Sequence, residues 1–394
     1  MHMTFRSSRH RAVAAALAAL LIVAPLLASV AGPASAAPRD SASLLTWNQL
    51  APAASPTARV HPAMAMDAAT GTVVLFGGRA GTQVLGDTWT WNGTTWAAQT
   101  PAVSPPPLES AAMAYDPVGQ QILLFGGIGA DGSVSAATWA WNGAGWSLLN
   151  PAASPPARYA ASMASDSGAG TDVLFGGLIA PGSSLGDTWS WNGTNWVGGT
   201  APGPSARSAA AVTYDATRGV VVLFGGTTGS ESKADTWTWN GAAWSQQSPA
   251  ASPPARNDAA LAFDPATQTA VLFGGNGAGG TLRDTWLWNG TTWSSSLPLS
   301  LLPTLNPPAR IGAGAAEAPS PQRLVLFGGQ AAGSAGALGD TWTVGTVVNT
   351  PSTTTTTVTA PPSTSHPSST TLPPATKGPP PSTAVPTPTT GGAP

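Results

Sequence analysis

The strongest constraint on this chain is a repeat. Leu75-Phe76-Gly77-Gly78, followed by Asp87-Thr88-Trp89-Thr90-Trp91-Asn92-Gly93-Thr94-Thr95-Trp96, returns as Leu124-Phe125-Gly126-Gly127 with Thr138-Trp139-Ala140-Trp141-Asn142-Gly143 and Trp146. Further copies surround Phe175, Phe224, Phe273 and Phe327, so the phenylalanines are spaced by 49, 50, 49, 49 and 54 residues. A fixed period of this length means one supersecondary unit per copy, each burying its apolar face against its neighbours.

Within each copy the pattern reads as four short strands. The first, such as Ala63-Met64-Ala65-Met66, ends at a turn opened by Asp67, Asp116, Asp166, Asp215 or Asp264, because Asp bonds its own backbone in turns. The second is the apolar run into Gly-Gly. The third is Thr-Trp-x-Trp, where alternation puts both tryptophans on one face. Asn-Gly is expected to make a tight hairpin with both residues at positive φ, and the fourth strand starts at Trp96 or its equivalents. Four antiparallel strands per repeat describe a propeller blade, so the expected fold is an all-β six-bladed propeller.

The tryptophan count fixes how the ring closes. Copies one to five carry three each, whereas the sixth has Trp342, Val344 at the second position, and ends before a third. Trp47 supplies the seventeenth. Its segment, Leu44 to Pro52, matches the tail of a repeat such as Gly145 to Pro151. The N-terminal segment is therefore expected to be the outermost strand of the sixth blade, which removes the open sheet edges.

Composition narrows the function classes. Only 8% of residues are charged, against ~25% in an average soluble protein. With no cysteine, disulfides, thiolate metal sites and cysteine nucleophiles are excluded. A net charge of -2 without a basic block gives a nucleic-acid partner no electrostatic support.

Residues 1–36 read as an export signal: Arg6, Arg9 and Arg11, then an apolar run from Ala12 to Val30, then Ala34-Ser35-Ala36. A membrane-anchoring helix is the competing reading of so long a run; Pro25, Pro33 and the small-x-small pattern favour cleavage. The organisation is then signal 1–36, lead-in 37–43, propeller 44–347 and a disordered Thr/Ser/Pro-rich tail 348–394, too poor in apolar residues to fold. The tail reads equally as a passive linker or as a wall-spanning or O-glycosylated spacer. A secreted monomer is expected, with no membrane partner after cleavage and the tail as a route to the cell wall.

Gly-Gly after an apolar strand, two spaced tryptophans and Pro-x-x-Arg together resemble the kelch repeat, in six copies from Trp47 to about Val344. The chain is also similar to the propeller domain of galactose-oxidase-type proteins. The resemblance implies a kelch propeller, a fold that serves as binding scaffold, oxidase and sugar mutarotase, so it does not choose the function. Galactose-oxidase chemistry needs copper held by Tyr and His and a Cys-crosslinked Tyr. This chain has no cysteine, three tyrosines (Tyr115, Tyr159, Tyr214) and His61 alone within the propeller. No copper radical site, other metal site or cofactor is expected.

Strand direction predicts charge pairing. The Arg at the start of strand one and the Asp at the start of strand three share a rim, which makes Arg59/Asp87, Arg158/Asp187, Arg207/Asp235, Arg256/Asp284 and Arg310/Asp340 candidate ion pairs. The second copy has Leu108 and Ala137 at these two positions; both partners are lost together, which suggests that they meet. If unpaired, the five arginines would instead form an inward ring able to bind an acidic ligand. Gly77-Gly78 reads as a loop entry rather than a phosphate cradle, since no Walker pattern follows. The sequons at Asn92, Asn192 and Asn289 are explained by the turn they occupy.

Charged residues that depart from the repeat include Arg79, Glu109, Asp131, Asp172, Arg218, Glu231, Lys233, Asp258, Arg283, Glu317 and Arg323. A catalytic site would have to come from these, with Glu109, Asp258 or Glu317 as base. Glu317, following the small-residue run Gly312 to Ala316 that should line the axis, is the catalytic candidate; a solvated channel-wall charge is its plainer reading. The first expectation is a non-enzymatic binding module for a protein or extracellular carbohydrate. The alternatives are a mutarotase- or epimerase-like sugar enzyme and a structural, wall-associated spacer.

Overall fold

The computed structural model describes residues 45–296, 306–321, 323–334 and 336–346. The expected signal, lead-in and tail lie outside them. Among the described residues are six four-stranded antiparallel sheets, five built from one copy of the repeat each and the sixth from the last copy plus Leu45–Leu50. In the first, the strands are Ala63–Asp67, Thr72–Phe76, Thr88–Trp91 and Trp96–Gln99, hydrogen-bonded in that order. The six innermost strands touch in cyclic order, from Ala63–Asp67 round to Gly314–Glu317 and back. This is an all-β propeller.

Leu45–Leu50 pairs with Thr341–Thr346, with Trp47 opposite Val344, so the first strand among the described residues is the outermost strand of the sixth blade. Trp47 does there what the last tryptophan does in every blade. Each such indole donates to a threonine of the preceding blade, Trp146 to Thr88 and Trp47 to Thr285 among them, at 2.8–3.1 Å. Each also meets a Phe-Gly-Gly phenylalanine of that blade at 5.2–5.5 Å between centroids. Alternation explains the geometry: the Trp face of strand three looks to one neighbour and its Thr face to the other.

The two glycines let the blades approach. The second donates its N–H to the carbonyl at the next blade's Arg position, as Gly127 does to Arg158 at 2.9 Å. A Cβ on Gly126 would collide with that same carbonyl.

At the other end of the blade, the Asn-Gly turn differs from expectation. Only Gly93 has positive φ, at 96°, and the loop spans four residues between paired Trp91 and Trp96. Asn92 instead uses its side-chain oxygen to accept the N–H groups of Thr94 and Thr95, both at 2.9 Å. Asn is chosen there as an acceptor.

The five Arg–Asp pairs form. Each guanidinium meets its aspartate in a two-pronged bond of 2.6–2.9 Å. It also donates to the first glycine's carbonyl at 2.8–2.9 Å and to a backbone carbonyl two residues back. Burial alone would raise the carboxyls, but Arg59, Arg158, Arg207, Arg256 and Arg310, with the neighbouring tryptophan N–H, hold them below the usual range. In the second blade Leu108 and Ala137 pack in a common apolar cluster, and Trp139, lacking the aspartate, is left with an unbonded indole N–H.

Candidate functional site

Between the Arg position and the innermost strand, each blade contributes one residue in the left-handed region: His61, Ser110, Ala160, Ala209, Asp258 and Gly312, with φ of 50–59°. Each N–H donates to the carbonyl of its counterpart in the preceding blade, at 2.7–3.1 Å, and the sixth bond closes the circle. Five of the six are not glycine, so each costs on the order of 1 kcal/mol of backbone strain, held by the bonds on either side. The neighbouring residue pairs with the loop after Gly-Gly in every blade, for example Val60 with Arg79 and Glu109 with Ile128. These loops thus form small rim hairpins rather than the plain connections their Gly, Ala, Ser and Thr content suggests.

The ring frames a cavity of about 150 Å³ at the axial mouth, whose lining includes His61, Ser110, Asp258 and Gly312. Charge gathers on one side of it. His61 lies between two carboxylates, with Nδ1 3.8 Å from Glu109 and Nε2 3.5 Å from Asp258. Arg79 donates to Glu109 at 2.9 Å. Gly312 makes the arrangement possible: a Cβ there would collide with the imidazole.

Burial works against a charged imidazole, but Asp258 and then Glu109 outweigh it and push the pKa of His61 from 6.5 to about 9. Burial would likewise raise Glu109, yet His61 and Arg79 hold its carboxyl below the usual range. At neutral pH the mouth therefore carries two cations and two anions in contact. His61 Nε2 is buried without a hydrogen-bond partner, because 3.5 Å to the carboxylate lacks hydrogen-bond geometry. A buried donor left in this condition costs about 1–3 kcal/mol, offset here by the adjacent carboxylate charge.

The structure thus brings together Arg79, Glu109 and Asp258 from the expected set and adds His61, which the sequence reading used only to argue against copper. Aligning the repeats one residue further would have found it, since His61 and Asp258 stand where other copies have Ser, Ala or Gly. Glu317 lies at the far end of its innermost strand, exposed, on a separate axial cavity. Partial desolvation by the cavity walls first, and Asp264 next, raise its pKa. Arg59, Arg158, Arg207, Arg256 and Arg310 are 0–1% exposed; their donors are committed to Asp and backbone acceptors, which leaves an acidic ligand little to bind.

The other departures from the repeat scatter. Glu231 pairs with Lys233 on a rim hairpin, Arg218 with Asp215, and Arg323 with Asp264. Asp131 accepts bonds from Ser133. Asp172 is fully buried with neither oxygen bonded. Among the described residues no group of three or more His, Cys, Asp or Glu side chains could hold a metal ion.

No protein-family model matches the chain, and no curated protein matches it. Solved structures do match. One, titled "Structure of YjhT", is similar over 75% of this chain and 99% of its own, with a TM-score of 0.57 and 17% sequence identity. At that identity the likeness concerns the fold, and it agrees with the six sheets: the chain is a β-propeller.

Proposed function

We propose that this is a secreted kelch-type propeller that binds a small hydroxyl-rich ligand, such as the terminal sugar of an extracellular glycan, at the axial mouth beside His61. The observation that carries the reading is the convergence of His61, Ser110 and Asp258 on one ~150 Å³ cavity, with the imidazole 3.5 Å from the Asp258 carboxylate. Such a cavity is below the ~300–1,000 Å³ of drug-sized ligand pockets, so it suits one compact unit. Asp258, an imidazolium and Ser110 line the cavity and supply both acceptors and donors, with Glu109 on the other side of the imidazole, which suits alcohols better than a ligand of a single charge. Export rests on the Arg-rich start, apolar run and Ala-Ser-Ala of residues 1–36.

A glycan array on the full-length protein tests this reading. A defined sugar epitope should be bound and His61→Gln should lose it, whereas a blank array, or binding indifferent to His61→Gln, would reject it.

A second reading, a mutarotase-like sugar enzyme, is favoured by the imidazolium and carboxylate 3.5 Å apart in one cavity. One could protonate the ring oxygen while the other takes the anomeric hydroxyl proton. Exchange spectroscopy on sugar anomers separates the two: acceleration that disappears with Asp258→Asn would make the protein an enzyme, and an uncatalysed rate would leave it a binder.

A further inference from the structure

The opposite end of the axis is built from different chemistry. One residue of each innermost strand stands at the same register height there: Met66, Tyr115, Ser165, Tyr214, Phe263 and Glu317. All six line a second cavity of about 210 Å³. The repeat does not dictate these residues, since no two neighbouring blades agree. Phe263 is the one phenylalanine beyond Phe5 that belongs to no Phe-Gly-Gly unit, and two of the three tyrosines are here. The four methionines beyond Met3, namely Met64, Met66, Met113 and Met163, also line this cavity.

Two further observations give the cavity a sign. Glu317 is its one acidic lining residue and forms no ion pair among the described residues. Around it, every innermost strand but the sixth ends in a buried aspartate. Among the described residues these aspartates face only two guanidiniums at this end, Arg218 and Arg323, each already held by one of them. A mouth lined by one sign of charge with low-dielectric walls concentrates the opposite sign.

Aromatic faces, a soft thioether and a single free carboxylate around one cavity form the chemistry that recognises an organic cation. We infer that this mouth is a binding site for a small protonated or quaternary ammonium ligand, with Glu317 as counter-ion and Tyr115, Tyr214 and Phe263 as the aromatic wall. The site is independent of the His61 mouth and of the function proposed for it.

Titration calorimetry of the full-length protein with choline, and with its uncharged carbon analogue 3,3-dimethylbutan-1-ol, reads the charge preference directly. Choline should bind saturably and the alcohol about ten-fold more weakly or worse. Glu317→Gln, an isosteric change at an exposed position, should weaken choline by a similar factor without shifting the melting temperature. Tyr214→Phe keeps the ring face and should retain binding, whereas Tyr214→Leu should lose several-fold. His61→Gln should bind choline as the native protein does. Absence of a saturable choline signal would overturn the proposal. So would equal affinity for the alcohol, indifference to Glu317→Gln, or loss of binding in His61→Gln.

Discussion

Asp172 is a residue at odds with its surroundings. Its register equivalents are Val73, Ile122, Val221, Ala270 and Leu324, and it is buried at 0% exposure. Burial, then the charges of Asp116 and Asp166, raise its pKa well above the ordinary value. The folded state therefore keeps a proton that the unfolded chain loses above about pH 4, so stability falls as pH rises from there towards the raised pKa. Asp172→Val should raise stability at pH 7 by about 1–3 kcal/mol, with the gain shrinking towards pH 4, as urea unfolding at the two pH values would record. His61 differs in being stabilised in its charged form, although its pH sense is the same. Its folded pKa of about 9 lies above 6.5, so its pairing with Asp258 and Glu109 stabilises fully below pH 6.5. That contribution is lost as pH rises through 9. The stability difference between native protein and His61→Gln should therefore be larger at pH 6 than at pH 10, and NMR titration of His61 should give a midpoint well above that of a free imidazole.

At the scale of the blade, the second copy shows what the Arg–Asp pair does by doing without it. Leu108 and Ala137 occupy the same space with apolar contacts, so the pair is one of two solutions to filling the rim. Removing one partner is different, because it strands a guanidinium in the interior. Asp187→Ala should cost roughly 2–3 kcal/mol, less than the ~3–5 of a fully buried pair because the carboxylate is partly exposed. Adding Arg158→Leu should recover most of that loss in a double-mutant cycle; additive losses would mean that blade 3 cannot adopt the packing of blade 2.

This pairing was legible in the sequence because strand polarity and one joint loss pointed to it. The four strands and their order were legible because apolar alternation and Gly-Gly punctuation repeat six times. The axial ring was not, because left-handed backbone favours Gly, Asn and Asp, and Ser110, Ala160 and Ala209 are none of these. The Asn-Gly turn misled for a related reason: Asn serves both as a left-handed residue and as a turn acceptor, and only the geometry distinguishes the two. The candidate site lay in the differences between copies, where a single sequence gives no indication of which departures converge in space.

At the scale of the molecule, the ring is held by a few contacts that every blade repeats: indole to threonine, indole to phenylalanine, glycine N–H to the carbonyl at the Arg position, and the axial circle. Four of the six indole bonds join consecutive copies, 56–58 positions apart, whereas the two on either side of the sixth blade join opposite ends of the domain. Trp47 reaches Thr285 across 238 positions and Trp96 reaches Thr341 across 245, so chain connectivity gives these two no help and long-range closure entropy opposes them. Trp47→Ala should destabilise by about 3–5 kcal/mol, and Trp293→Ala, within a continuous stretch of chain, should do the same. The two should part in their manner of failure. Loss of Trp293 leaves Trp293's strand covalently tethered to the third strand of its own blade through the short turn at Asn289. Loss of Trp47 loosens a terminal strand that can leave altogether, exposing Thr341–Thr346 as an unpaired edge that another molecule can join. Light scattering during thermal unfolding should therefore detect association at a lower temperature in Trp47→Ala than in Trp293→Ala at matched stability. Identical association temperatures would mean that the N-terminal strand stays paired without its tryptophan.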